Sequence, residues 1–242
     1  MDGQVKRQEI SDYYNTFCEE EKNLRLNIRH YTVFKHLVNS GLKKDHDVLE
    51  IGCGFGTVTS LMSKYLKRGS ITATDISAER IASCQRQFKG KANTTFVLTD
   101  MSDFKTDKRF DFIVLPDVLE HIPFEAHLAL FQLMTLLLKD DGTIFIHIPH
   151  PTAIEFLRVH NPSGLQIIDQ SIHADTLMQV AYSSGLILKY FNAYSLASSQ
   201  PDYELVLFNK RTPYKSIDSI PKLTTQWRKT LARIFFLRRG LF

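Results

Sequence analysis

One stretch constrains the chain more than any other: Glu50-Ile51-Gly52-Cys53-Gly54-Phe55-Gly56. Three glycines at every second position are poor strand residues, because each orders at a high entropic cost and has no side chain to pack. Ahead of them lies the apolar run from Val48 to Ile51. Behind them Val58, Leu61, Met62, Tyr65 and Leu66 recur at helical spacing. The stretch therefore reads as a buried strand, a glycine turn and the start of a helix. Such a turn brings a ligand close to bare backbone, and the helix N-terminus behind it offers N–H groups without partners. A site of this kind belongs at the carboxyl end of the first strand of an open, doubly wound α/β sheet. Two common ligand loops are excluded. A dinucleotide fingerprint needs glycine where Thr57 stands, and no Gly-Lys-Ser/Thr follows for a P-loop. A carboxylate at Glu50 suits a cation better than a pyrophosphate.

Three further strand ends follow in order. Residues 70–75 read as a second strand ending in Asp75, 19 residues after Gly56, where a carboxylate can accept both hydroxyls of a ribose. Residues 94–101 end in Asp100-Met101, and residues 110–117 in Pro116-Asp117. An acid before G-x-G-x-G, with these strand ends behind it, resembles the class I S-adenosylmethionine (SAM)-dependent methyltransferases from about residue 45 to 209. The resemblance implies a seven-stranded doubly wound α/β sheet of order 3-2-1-4-5-7-6 with strand 7 antiparallel. It implies SAM as cofactor and S-adenosylhomocysteine (SAH) as product. Glu50, Gly52, Cys53, Gly54 and Gly56 would hold the methionine part and Asp75 the ribose. Ile76 would pack on the adenine face. Asp100 would accept from the adenine amino group, while the Met101 N–H meets a ring nitrogen. Pro116 and Asp117 would lie under the cofactor. In such proteins an N-terminal helical segment covers the cofactor, here residues 1–44, and Arg29 and His30 would reach its methionine end with Tyr13 and Tyr14 nearby.

Residues 115–123 sit at a strand end, where open α/β sheets place their chemistry. Methyl transfer needs in-line alignment, and a base if the acceptor is a hydroxyl. The unperturbed pKa of a histidine lies near neutrality, so His121 is one candidate base. His150 is the second; it stands at the root of residues 149–171, a long connection expected to serve as a substrate lid. Alternatively His121 holds its loop by hydrogen bonds, and His147 and His150 satisfy backbone groups. The (Asn/Asp)-Pro-Pro-Tyr/Phe motif of enzymes that methylate base or amide nitrogens is missing, which leaves hydroxyl, carboxyl, amine and carbon acceptors. The pattern resembles bacterial glycan and small-molecule methyltransferases, so O-methylation of a small molecule or sugar is the expected reaction. Aminopropyl transfer and a SAM-binding regulatory or scaffold subunit remain open.

Composition sets the rest. No 18-residue apolar run and no apolar leader occur, so neither a membrane span nor export is expected. Three widely spaced cysteines and no CxxC argue for a reducing cytoplasm and no metal site. Residues 210–242 carry nine Lys or Arg and one acid, although the whole chain is only +4. Residues 223–242 read as a basic, amphipathic helix with several open roles: peripheral contact with the inner membrane face, packing or a homodimer contact, or nucleic-acid methylation, which no recognised nucleic-acid module accompanies.

Overall fold

A computed structural model describes Tyr13 and residues 26–213. The expectations for Tyr14 and for the basic segment 223–242 lie outside the described residues. Helix α1 (Ile28–Asn39) opens with a capping box. The Asn27 side chain accepts from the His30 N–H, and the His30 ring accepts from the Asn27 N–H. Val33 and Leu37 form its buried face.

Alternation of strand and helix then builds the sheet. Strand β1 (Asp47–Ile51) leads to α2 (Thr57–Tyr65), β2 (Ser70–Asp75), α3 (Ala78–Gln87) and β3 (Thr94–Leu98). Ser77 caps α3 by accepting from the Arg80 N–H. Next come β4 (Phe110–Pro116), a 3-10 turn (Leu119–His121), α4 (Phe124–Leu137), β5 (Leu138–Pro149), α5 (Pro151–His160) and α6 (Ala174–Ser183). The hairpin β6 (Leu186–Tyr194) and β7 (Tyr203–Lys210) completes the elements of the described residues. Spatial order is β3-β2-β1-β4-β5-β7-β6, as expected. Strands β1 to β5 run parallel, and β7 is antiparallel to both neighbours. Strand β6 consequently runs the same way as β5. Tyr194, at its end, and Tyr203, where β7 begins, face each other at the carboxyl edge of the sheet.

Alternate strand residues serve two cores. Phe112, Val114 and Phe145 pack with Val33, Leu37 and Met62; Ile113, Leu115 and Ile146 pack with Phe131, Met134 and Leu177 on the other face. Burying each large side chain contributes roughly 1.5–3 kcal/mol.

Residues 139–142 bulge out of the ladder: Leu138 pairs with Phe110 and Thr143 with Phe112, so β5 advances further than β4 between the two pairs. A Cβ on Gly142 would come within 2.7 Å of the Leu138 side chain, so the chain folds back on itself there before β5 runs on. One local expectation needs correction. Strand β3 ends at Leu98 rather than at Met101, whose φ of 71° breaks the strand. Within residues 149–171, Pro151–His160 is helical, with His150 capping its first turn.

Candidate functional site

The glycine loop leaves β1 and enters α2 at the centre of the sheet. Gly52 has φ 69°, and a Cβ there would meet the Val118 side chain at 2.4 Å. At Gly54 (φ 54°) nothing lies within 4 Å of where a Cβ would stand, so bare backbone faces open space. Gly56, also at positive φ, is the N-cap of α2. The Cys53 N–H donates to the Thr74 carbonyl at 2.8 Å, tying the loop to β2. Cys53 is buried; a hydrogen bond to Cys84, together with burial, pushes its thiol well above the ordinary value. It packs and is not a nucleophile.

Asp75 closes the loop from the end of β2. One carboxylate oxygen accepts from the Gly54 N–H at 2.8 Å and the other from the Ser77 N–H at 2.9 Å. Burial nonetheless raises its pKa. Ile76 follows, half-buried. At the end of β3, Asp100 accepts from the Ser102 N–H and hydroxyl, and the Met101 N–H donates to the Thr99 hydroxyl at 2.9 Å. An adenine nitrogen at Met101 would have to replace that bond.

Glu50 departs from the simple charge expectation. It is fully buried, the Thr59 hydroxyl donates to Oε2 at 2.5 Å, and Oε1 has no partner. Burial pushes its pKa to about 8, so near neutrality it is mostly a neutral acid beneath the loop rather than a fixed negative charge for a cation.

The ends of β4 and β5 carry a connected polar network. Pro116 closes β4 opposite His147, and Asp117 follows with φ 56°, a conformation that costs a non-glycine residue of order 1 kcal/mol. Its Oδ1 lies 2.5 Å from His147 Nδ1 and its Oδ2 lies 3.2 Å from Arg29. Burial alone would raise the Asp117 pKa, but His147 and Arg29 outweigh it and hold the carboxyl below its usual value. His147 is fully buried, and its Nε2 lies 2.6 Å from the Tyr194 hydroxyl. Tyr203 stacks on the His147 ring at 4.8 Å and bonds to Arg29. Thus Arg29 stands beside Asp117, while His30 serves the helix cap.

His121 meets the segment before α6. Its Nδ1 lies 2.6 Å from the Ile168 carbonyl and 3.2 Å from Asp169, and burial lowers its pKa. Neighbouring Glu120 is buried and pushed well above the carboxylate range, by burial first and then by Asp117. His150 bonds the Thr152 hydroxyl and lies 3.5 Å from Glu204, a buried carboxyl that burial raises to about 7. The structure therefore separates the expected residues into a loop cluster and two histidines held by different elements. His147, Tyr194 and Tyr203 were not singled out for the site in the sequence. The one signal was a histidine inside the apolar run 144–148, and its partners are side chains rather than the backbone groups expected. Among the described residues no cluster of metal ligands occurs and no helix is long and apolar enough to cross a membrane.

The loop fits the cofactor that the motif implies. Open space before Gly54 leaves a cradle that a side chain would fill, and the unpartnered Glu50 Oε1 lies buried beneath it. Comparisons with known proteins agree. Residues 48–142 match the family model of a methyltransferase domain. The (S)-coclaurine N-methyltransferase of Papaver somniferum is 27% identical over 124 residues, covering 48% of this chain and 34% of that protein. A malonyl-[acyl-carrier protein] O-methyltransferase of Ilyobacter polytropus is 24% identical over 131 residues, covering 54% and 46%. The chain thus spans less than half the length of these curated relatives. A crystal structure of magnesium protoporphyrin IX methyltransferase from Synechocystis, with bound SAH, superposes with a TM-score of 0.67 at 17% identity over 85% of this chain and 99% of that one. That likeness is one of fold.

Proposed function

We propose, from the premise that residues 48–142 are a methyltransferase domain on the class I SAM-dependent fold, that this chain transfers the methyl group of SAM to a hydroxyl of a small molecule or sugar. The observation that carries the cofactor is the loop itself: open backbone at Gly54, clamped by the Asp75 carboxylate at the end of β2. Gly52, Cys53, Gly54 and Gly56 would hold the methionine part, Asp75 and Ile76 the ribose and adenine face, and Asp100 and Met101 the adenine edge. When bound, the cofactor supplies an electrophilic methyl group on a sulfonium. The chain's own residues bind and orient it. Arg29 pairs with Asp117 and so would neutralise the end of β4, while its buried Nε, which has no partner, leaves a donor for the methionine end of the cofactor.

The hydroxyl acceptor is supported by His147, whose Nε2 faces the Tyr194 hydroxyl at the carboxyl edge of the sheet, because a hydroxyl must lose its proton as it is methylated. The relatives' printed names include both N- and O-methyltransferases, so an amine acceptor is the second reading. Residues 149–171 would close over the acceptor. The basic segment 223–242 would favour peripheral contact with the inner membrane face. SAM carrying a labelled methyl group tests the reaction: label should enter a small hydroxyl compound, with SAH released in equal amount. Label entering only amines would replace the first reading by the second.

A further inference from the structure

Asp117, His147 and Tyr194 come from the ends of three different strands and make one chain of short hydrogen bonds. Asp117 Oδ1 lies 2.5 Å from His147 Nδ1, and His147 Nε2 lies 2.6 Å from the Tyr194 hydroxyl. An ionised carboxylate can only accept, so Nδ1 carries the proton and Nε2 keeps its lone pair. The Tyr194 hydroxyl is then the donor to Nε2. His147 has no exposed surface, whereas Tyr194 is only half-buried and stands at the carboxyl edge of the sheet with Tyr203 beside it. The arrangement has the logic of an activated hydroxyl: a surface O–H, a buried imidazole behind it and a carboxylate fixing the tautomer.

Resting on the methyl-transfer reading above, we propose that Tyr194 is the acceptor base, acting as a proton relay into the His147–Asp117 pair. The acceptor hydroxyl gives its proton to Tyr194 Oη while the tyrosine's own proton passes to His147 Nε2. The acceptor oxygen forms its bond to the methyl carbon, and the sulfur keeps the electron pair of the bond that breaks. The proton ends on an imidazolium paired with Asp117, and it returns to solvent through Tyr194 after product leaves. Burial and the negative Asp117 keep the phenol protonated at rest, which explains why a relay rather than a standing tyrosinate is required. Arg29 balances the Asp117 charge, and the stacked Tyr203 ring holds the imidazole plane. Tyr194 and His147 are catalytic in this scheme, and Asp117 is a positioning residue.

The test uses the full chain. In the histidine-labelled protein, nitrogen NMR should show neutral His147 protonated on Nδ1, with the Nε2 resonance moved by Tyr194→Phe; His147→Gln identifies the signals. An Nε2-protonated ring would overturn the relay. In parallel, SAH release is followed with SAM and catechol, glycerol or methyl α-glucoside as acceptor. Tyr194→Phe should lower kcat about 100-fold or more, the range of positioned acid–base catalysis, with KM and SAH affinity within about twofold. Tyr190→Phe, the same change on the same strand, should leave the rate unchanged. An undiminished kcat in Tyr194→Phe overturns the proposal, and so does SAH binding without transfer to any of these hydroxyls. Failure of the wild type to bind SAH would instead remove the cofactor reading beneath it.

Discussion

The sheet has two halves that solve their tasks by different means. Around β1, β2 and β3 the site is made of backbone: three left-handed glycines, a helix N-terminus, and Asp75 spending both oxygens on backbone N–H groups of the loop and the turn beside it. Around β4, β5 and β6 it is made of side chains, with Arg29, Asp117, His147 and Tyr194 joined in one network around the buried His147. The family match covers all of the first half but ends at residue 142, before His147 and Tyr194. A backbone cradle suits a ligand shared by every member of a fold. A side-chain network can be rebuilt for each acceptor.

The most severe way to break the first half is Gly52→Ala. The left-handed backbone and the approach to Val118 at 2.4 Å act together, at about 1–2 kcal/mol for the conformation and about 1–3 for the overpacking. Thermal unfolding should show a loss of this order, and SAH binding should disappear. An intact melting temperature with intact binding would mean that the loop is not the cradle.

Asp75→Ala comes next. It removes the acceptor for two N–H groups, so calorimetry should show SAH affinity falling about 10- to 100-fold, or about 1.4–2.8 kcal/mol. Asp75→Asn keeps one acceptor oxygen and should lose less.

Glu50→Gln sharpens the comparison through pH. The Glu50 pKa is raised to about 8 in the folded chain and returns to about 4.5 on unfolding. Between those values the folded state binds the extra proton, so this group's contribution to stability is full below about pH 4.5 and declines as pH rises through about 8. Glu50→Gln should flatten that decline and gain on the order of 1–3 kcal/mol at pH 8 relative to pH 5. Denaturant unfolding at the two pH values checks it; the opposite slope would mean that Glu50 is ionised in the fold.

The smallest effect belongs to the second half. His121→Ala frees the Ile168 carbonyl and should cost about 1 kcal/mol. Amide exchange across residues 166–170 should quicken while SAH affinity stays within about twofold. A large loss of affinity would place His121 in the cofactor half instead.

The same division decides what was legible in the sequence. Gly52 to Gly56 and Asp75 were readable because strand, turn and helix follow one another along the chain, and the order of the strands came with them. Asp117, His147 and Tyr194 were not readable as a unit, because they are 30 and 47 residues apart and meet only through the pairing of β4 with β5 and of β7 with β5 and β6. His121 stood out by type and place, yet the partners that hold its ring lie 47 and 48 positions away in the segment before α6. Glu50 was recognised as an acid, but its charge state depends on complete burial, which the motif does not reveal.

The central claim is that the backbone loop of the first half holds the cofactor independently of the side-chain network in the second. Calorimetric titration of SAH into the wild-type full chain and into Tyr194→Phe tests it most directly. The account predicts micromolar binding to both, equal within about twofold. Absence of binding to the wild type, or binding that is lost with the Tyr194 hydroxyl, would contradict it.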